Sequence, residues 1–257
     1  MNHVVMYSGG IGSWAAAKRV AEAHGTEHLT LLFTDTKTED PDTYRFLRES
    51  AANVGGRLVE IAEGRNIWQV FEDERYLGNT RADPCSRILK REMADRWLSV
   101  NHTPEGCVVY IGIDWSEIHR WERLAERRKP WIYEAPLCRP PYLTKTQMHQ
   151  WAEREGLSKQ WLYQIGAAHA NCGGGCIKMG VGGFTRLYRA APDRFAQWEH
   201  NEQRLRDLLG DVAILRDRSG GETKPLPLKV LRERIEAGYQ PDLFAIGGCG
   251  CFVDGDD

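Results

Sequence analysis

At 257 residues, 42% of them apolar and 27% charged, the chain has the composition of a soluble globular protein, with length for one α/β domain with additions or a domain and a small satellite. A net charge of −2 excludes the global basic field that usually neutralises nucleic-acid phosphates; local basic clusters stand at Arg123, Arg127, Arg128 and Lys129, and at Arg87, Lys90 and Arg91. No stretch has the apolar length of a membrane span, and Met1 leads directly into a strand-like run, so a cytoplasmic protein without membrane association is expected.

The first half alternates strand and helix. His3–Ser8 reads as a short apolar strand, Ser13–His24 as an Ala-rich helix and His28–Asp35 as a second strand. A helix near Asp42–Val54 starts at Pro41 and Asp42, and Arg57–Ala62 is a third strand. Asp83 followed by Pro84 reads as an N-cap and a first helical residue. Cys107–Asp114 is an apolar strand, with a helix over Ser116–Arg127. Strands alternating with helices predict a parallel twisted sheet flanked by helices, with ligands beyond the carboxyl ends of the strands.

Past Pro130 the pattern changes. Thr144 and Gln147 form a capping-box signature for a helix to about Glu155. Cys172–Gly183 reads as a glycine-rich loop, Pro192–Leu209 and Leu228–Ala237 as helices, and Gly247–Phe252 as loop. The expected organisation is a nucleotide-binding domain over residues 1–180 and a helical, cysteine-rich extension over 181–257.

Ser8-Gly9-Gly10-Ile11-Gly12-Ser13 falls where the first strand turns into the first helix. Glycines there let backbone approach an anion closely, and the open N–H groups of the helix start attract phosphate. The loop has neither the Gly-Lys-Ser/Thr ending of a Walker A sequence nor the Gly-x-Gly-x-x-Gly spacing of a dinucleotide fingerprint. A plain glycine turn is the alternative.

These residues resemble the PP-loop superfamily, with its Rossmann-like fold, and further matches point to the phosphoadenylyl-sulfate (PAPS) reductase-like branch. Phe33-Thr34-Asp35-Thr36 ends the second strand, Gly112-Ile113 precedes Glu117 and Arg120, and Pro136-Leu137, Thr144–Trp151 and Leu162-Tyr163 follow in order. The resemblance covers roughly residues 3–180. It implies an adenine nucleotide held by Ser8, Gly9, Gly10, Gly12 and Ser13, an adenosine pocket at Thr34 and Asp35, and Glu117 and Arg120 near the phosphates or sulfate. Mg is a further possible cofactor.

Seven cysteines in a cytoplasmic chain favour metal or redox chemistry over disulfides. Cys172 and Cys176 flank three glycines, a spacing that suits two thiolate ligands. Cys85 stands at a helix start, where the dipole and Arg87, Lys90 or Arg91 favour thiolate. The resemblance implies a [4Fe-4S] cluster with Cys85, Cys172 and Cys176 among its ligands; the ligand this chain then lacks is expected from the tail, Cys249 or Cys251, the other tail cysteine being a persulfide carrier or redox thiol. Here Ser86 stands beside Cys85, and the Cys172–Cys176 spacing is one residue wider than in the family. A structural zinc on Cys172, Cys176, Cys249 and Cys251 is the alternative, and free or reactive thiols a third. Cys107 and Cys138 read as packing residues.

Trp14, Trp97 and Trp151 read as core, and Trp115 and Trp121 as core or as stacking surfaces near the substrate edge. His24 and His28 read as surface residues, and His169, just before the Cys172 loop, as a surface residue or a group supporting the metal ligands.

Two chemistries follow from the resemblance. In one, ATP adenylates a substrate, pyrophosphate leaves, and sulfur from the cluster displaces AMP. In the other, the nucleotide is APS or PAPS, and the thiolate of Cys249 or Cys251, supported by a thiol reductant, attacks its sulfur. A nucleotide-binding module with structural zinc is the non-catalytic alternative. Nucleobases in RNA or DNA are conceivable acceptors, unsupported by the net charge.

Overall fold

In a computed structural model, residues 1–78, 83–170, 172–218 and 222–240 are described. Cys249, Cys251 and the expected tail loop lie outside the described residues.

Five parallel strands form the central sheet in the order β3-β2-β1-β4-β5: β1 (Asn2–Met6), β2 (Leu29–Asp35), β3 (Arg57–Ala62), β4 (Cys107–Tyr110) and β5 (Ile132–Glu134). This is the α/β class expected from the alternating pattern. Period-two alternation splits the strand side chains between two faces. Val5, Tyr7, Leu29, Leu31 and Phe33 pack beneath α1 (Ile11–His24), α2 (Pro41–Val54) and α7 (Lys145–Arg154). Val4, Met6, Leu32 and Val109 face α5 (Met93–Asn101) and α6 (Ile118–Arg127).

The chain runs outward from β1 to β3, then returns to place β4 on the other side of β1. The direction of winding therefore reverses between β1 and β4, the place in such sheets where a crevice opens at the carboxyl ends of the strands.

A third apolar core lies beside the sheet. It joins α3 (Ile67–Asp73) and the short α4 (Pro84–Ser86) to α9 (Val181–Ala190), α10 (Pro192–Leu209), the β6–β7 hairpin (Leu215–Asp217, Lys224–Leu226) and α11 (Leu228–Glu236). Glu202 is buried within it and accepts hydrogen bonds from the Ile214 amide at 2.9 Å and the Leu228 amide at 2.5 Å, tying the hairpin's flanks to α10.

Several boundaries differ from those read in the sequence. The apolar run from Cys107 leaves the sheet after Tyr110, and α6 starts at Ile118 after a tight turn over Trp115–Glu117. Helix α9 begins at Val181, inside the stretch read as loop, and α3 has its own capping box from Asn66 and Gln69. Asp83 does not cap α4: its carboxylate accepts from Arg91 at 2.8 Å and pairs with Lys178 at 2.8 Å, because those cations outcompete the helix amides for it. The predicted Thr144 capping box is present.

Candidate functional site

Ser8–Ser13 spans the β1–α1 junction at the crevice. Gly9 has φ +72°, a conformation that strains other residues, and Gly10 occupies the N-cap position of α1 without a side-chain cap. The first helical hydrogen bond runs from Trp14 N to Gly10 O, so the amides of Ile11, Gly12 and Ser13 are the open donors of this turn. The Ser8 hydroxyl donates to Ser13 Oγ at 3.3 Å, and Ser13 donates to the Gly10 carbonyl at 2.9 Å. The hydroxyls thus brace the turn.

Gly112, just past β4, fixes where that turn lies. A Cβ built on Gly12 would stand 2.8 Å from the Gly112 carbonyl oxygen, and one on Gly112 would stand 2.7 Å from the Ser13 nitrogen. No side chain fits between the two segments. Beneath Gly9, the Thr43 hydroxyl donates to the Ala170 carbonyl at 2.8 Å and links α2 to the segment before Cys172.

The neighbouring side chains are basic or aromatic. The Tyr163 hydroxyl lies 3.3 Å from where a Gly10 side chain would begin, and its ring meets His149 edge-on at 4.7 Å. Burial pushes the His149 imidazole down to about 4, with Lys159 and Lys145 adding to the effect. Burial likewise pushes His169 down to about 4, assisted by Lys145 and Arg120. His169 is half-buried and lies near two cations. Lys145 donates to the Ala168 carbonyl at 3.1 Å, and Arg120 pairs with Glu117.

Thr34 and Asp35 are buried at the carboxyl end of β2, next to β1. Burial works to raise the Asp35 carboxyl, but hydrogen bonds from Lys37 and Tyr44 outweigh it and hold the group below its ordinary value. Asp35 accepts from the Tyr44 hydroxyl at 2.6 Å and from Lys37 Nζ at 2.8 Å.

Glu39 is a junction that sequence reasoning did not single out. Its carboxylate accepts from Thr36 Oγ1 at 3.1 Å, Lys90 Nζ at 3.4 Å and the Cys172 amide at 2.6 Å. Lys90 and Glu39 form a buried pair, Arg91 pairs with Asp83, and Arg87 pairs with Glu74 and Glu92. Each of the cations expected to favour a Cys85 thiolate thus also has a carboxylate partner.

Cys85 and Cys172 are buried in the same apolar core and Cys176 is partly exposed. Among the described residues no three His, Cys, Asp or Glu side chains converge to hold a metal ion. The described cysteines alone do not furnish a cluster site. Cys107 and Cys138 are buried, and burial raises each thiol to about 11, in keeping with packing roles. Trp121 donates to the Tyr133 carbonyl at 2.9 Å and so braces β5, whereas Trp115 is exposed.

A five-stranded parallel sheet with an uncapped glycine turn at its winding reversal defines an α/β fold. No protein-family model matches the chain, and no curated protein matches it. Among solved structures, the chain is similar to phosphoadenylyl-sulfate (PAPS) reductase from Candida auris, crystallised as a phosphate complex. The identity is 16%, the TM-score 0.44, and the match covers 65% of this chain and 79% of that one.

Proposed function

We propose that the chain is a PP-loop enzyme that binds ATP at Ser8–Ser13 and adenylates a substrate ahead of sulfur transfer. The observation that carries this reading is the set of open amides at Ile11, Gly12 and Ser13, fixed against Gly112 at the mouth of the crevice. Such amides, at the positive end of a fourteen-residue helix, suit a phosphate chain. Lys145 and Arg120, both acting on His169, supply cationic charge near the same crevice. Thr34 and Asp35 at the end of β2 border the adenosine side.

In this reading a substrate oxygen attacks the α-phosphorus of ATP. A new P–O bond forms as the bond to pyrophosphate breaks, and pyrophosphate leaves with the electron pair. The protein contributes placement of the phosphates and preorganised donors for the charge that develops on them. A sulfur nucleophile then attacks the activated carbon, and AMP departs with the oxygen.

The test is release of pyrophosphate and AMP from α-labelled ATP on incubation with candidate acceptors. Pyrophosphate formed in step with an adenylated product supports the reading. Sulfite released from APS or PAPS with a thiol reductant, and no pyrophosphate from ATP, overturns it in favour of sulfonucleotide reduction.

A further inference from the structure

A cavity of about 300 Å³ opens beside the N-terminus of α2, and none of Ser8–Ser13 lines it. Its volume is at the small end of the range for ligand sites. One wall is a single face of α10: Arg194, Gln197, Trp198 and Asn201 follow at intervals of three, one and three residues, so successive helical turns present them together. Trp68 of α3 closes against Trp198, ring centroids 4.7 Å apart and edge-on. Thr38–Pro41 and the Cys172–Gly173 backbone complete the lining.

We propose that this cavity is a separate binding site for a neutral, planar heteroaromatic ring carrying neighbouring hydrogen-bond donors and acceptors on one edge. Three observations define the ligand. Its charged walls are matched internally: Arg194 pairs with Asp40 and Lys90 with Glu39, so a net charge on the ligand would have no counterion. Two buried indoles, packed edge-on against each other, give the cavity an apolar wall for a ring to lie against. The carboxamide of Gln197 brings a donor and an acceptor; that of Asn201, one turn on, donates one N–H to the Gln197 backbone carbonyl at 2.8 Å and keeps its oxygen and second N–H to read the edge of a heterocycle.

The site is also held in shape before any ligand arrives. Arg194 lies 4.6 Å from the Trp161 ring centroid, which fixes the guanidinium from behind. Cys172 adopts φ +52° and its amide donates to Glu39 Oε2 at 2.6 Å, so the cavity floor is pinned in a conformation that a free chain disfavours. Trp198 packs so closely on Gly175 that a side chain there would overlap the indole, 2.1 Å from Cε2. Such preorganisation lowers the entropic cost of binding.

The proposal does not depend on the ATP reading. Its test is calorimetric titration of the full chain with uracil and with adenine, in the absence and presence of saturating ATP. At least one ring is expected to bind one to one, with a Kd that ATP leaves unchanged. The double variant Gln197→Ala/Asn201→Ala should weaken that binding by about tenfold, the loss of two hydrogen bonds, with an unaltered melting temperature. No saturable binding of either ring, displacement of the ring by ATP, or equal binding by the double variant overturns the proposal. A failure to bind ATP with ring binding intact would instead count against the adenylation reading alone.

Discussion

Gly12 and Gly112 meet backbone to backbone: a Cβ on Gly12 would stand 2.8 Å from the Gly112 carbonyl oxygen. The first turn of α1 is thereby pressed against the chain leaving β4, at the point where the sheet changes winding direction. One residue lies in the glycine turn and the other a hundred positions on, so the position of the open amides is set by tertiary packing.

Gly112→Ala is expected to force the two segments apart. Overpacking of this kind costs about 1–3 kcal/mol. Displacing the open amides should also weaken ATP binding by about tenfold, since a 1.4 kcal/mol loss has that effect. Thermal melting and calorimetric titration of the variant check both effects. An unchanged melting temperature and an unchanged Kd would show that the contact is loose and not formative.

The Glu39–Lys90 pair links α2's approach, the helical run after α4 and the Cys172 loop. Removing one partner of a buried pair leaves the other charge uncompensated, at a cost of about 3–5 kcal/mol. Glu39→Ala should lose stability on that scale in urea denaturation, and Glu39→Gln less, since its amide oxygen still accepts from Lys90. A loss under about 1 kcal/mol for Glu39→Ala would place the pair in solvent-screened surroundings.

Acidification should destabilise the fold through its histidines. His149 and His169 are each pushed by burial to about 4, and His3 is lowered by burial, His24, the N-terminus and His28. The unfolded chain takes up protons near the ordinary histidine value, about 6.5, while the folded chain resists until lower pH. Their stabilising effect is therefore fully present above about pH 6.5 and is lost as pH falls towards about 4. Urea midpoints at pH 7.5 and pH 5.5 should show the decrease, and His149→Gln should reduce it. Equal midpoints, or a higher one at pH 5.5, would contradict the burial of these rings.

Local signals in the sequence translated well. The glycine turn, Pro41 at the start of α2 and the Thr144 capping box each act over a few residues, and each appears where it was expected. Asn66 and Gln69 make the same kind of capping box for α3, yet that helix is short and went unread. β5 is a three-residue edge strand just after Pro130, too brief to show a period. Long-range partners left no mark in the sequence. Nothing near Asp83 announces Lys178, and nothing near Glu39 announces the Cys172 amide. Lys145, His149 and Tyr163 came within stretches noted for their resemblance, but only the folded chain brings them near the glycine turn or near one another.

The central claim is that an adenine nucleotide sits on the amides of Ile11, Gly12 and Ser13. Amide hydrogen exchange of the full chain, with and without saturating ATP, tests it most directly. Slowed exchange across residues 8–14, with a matching change in the segment around Gly112, is the expected result. Binding of ATP that leaves residues 8–14 exchanging at their original rate would contradict the assignment, as would the absence of binding.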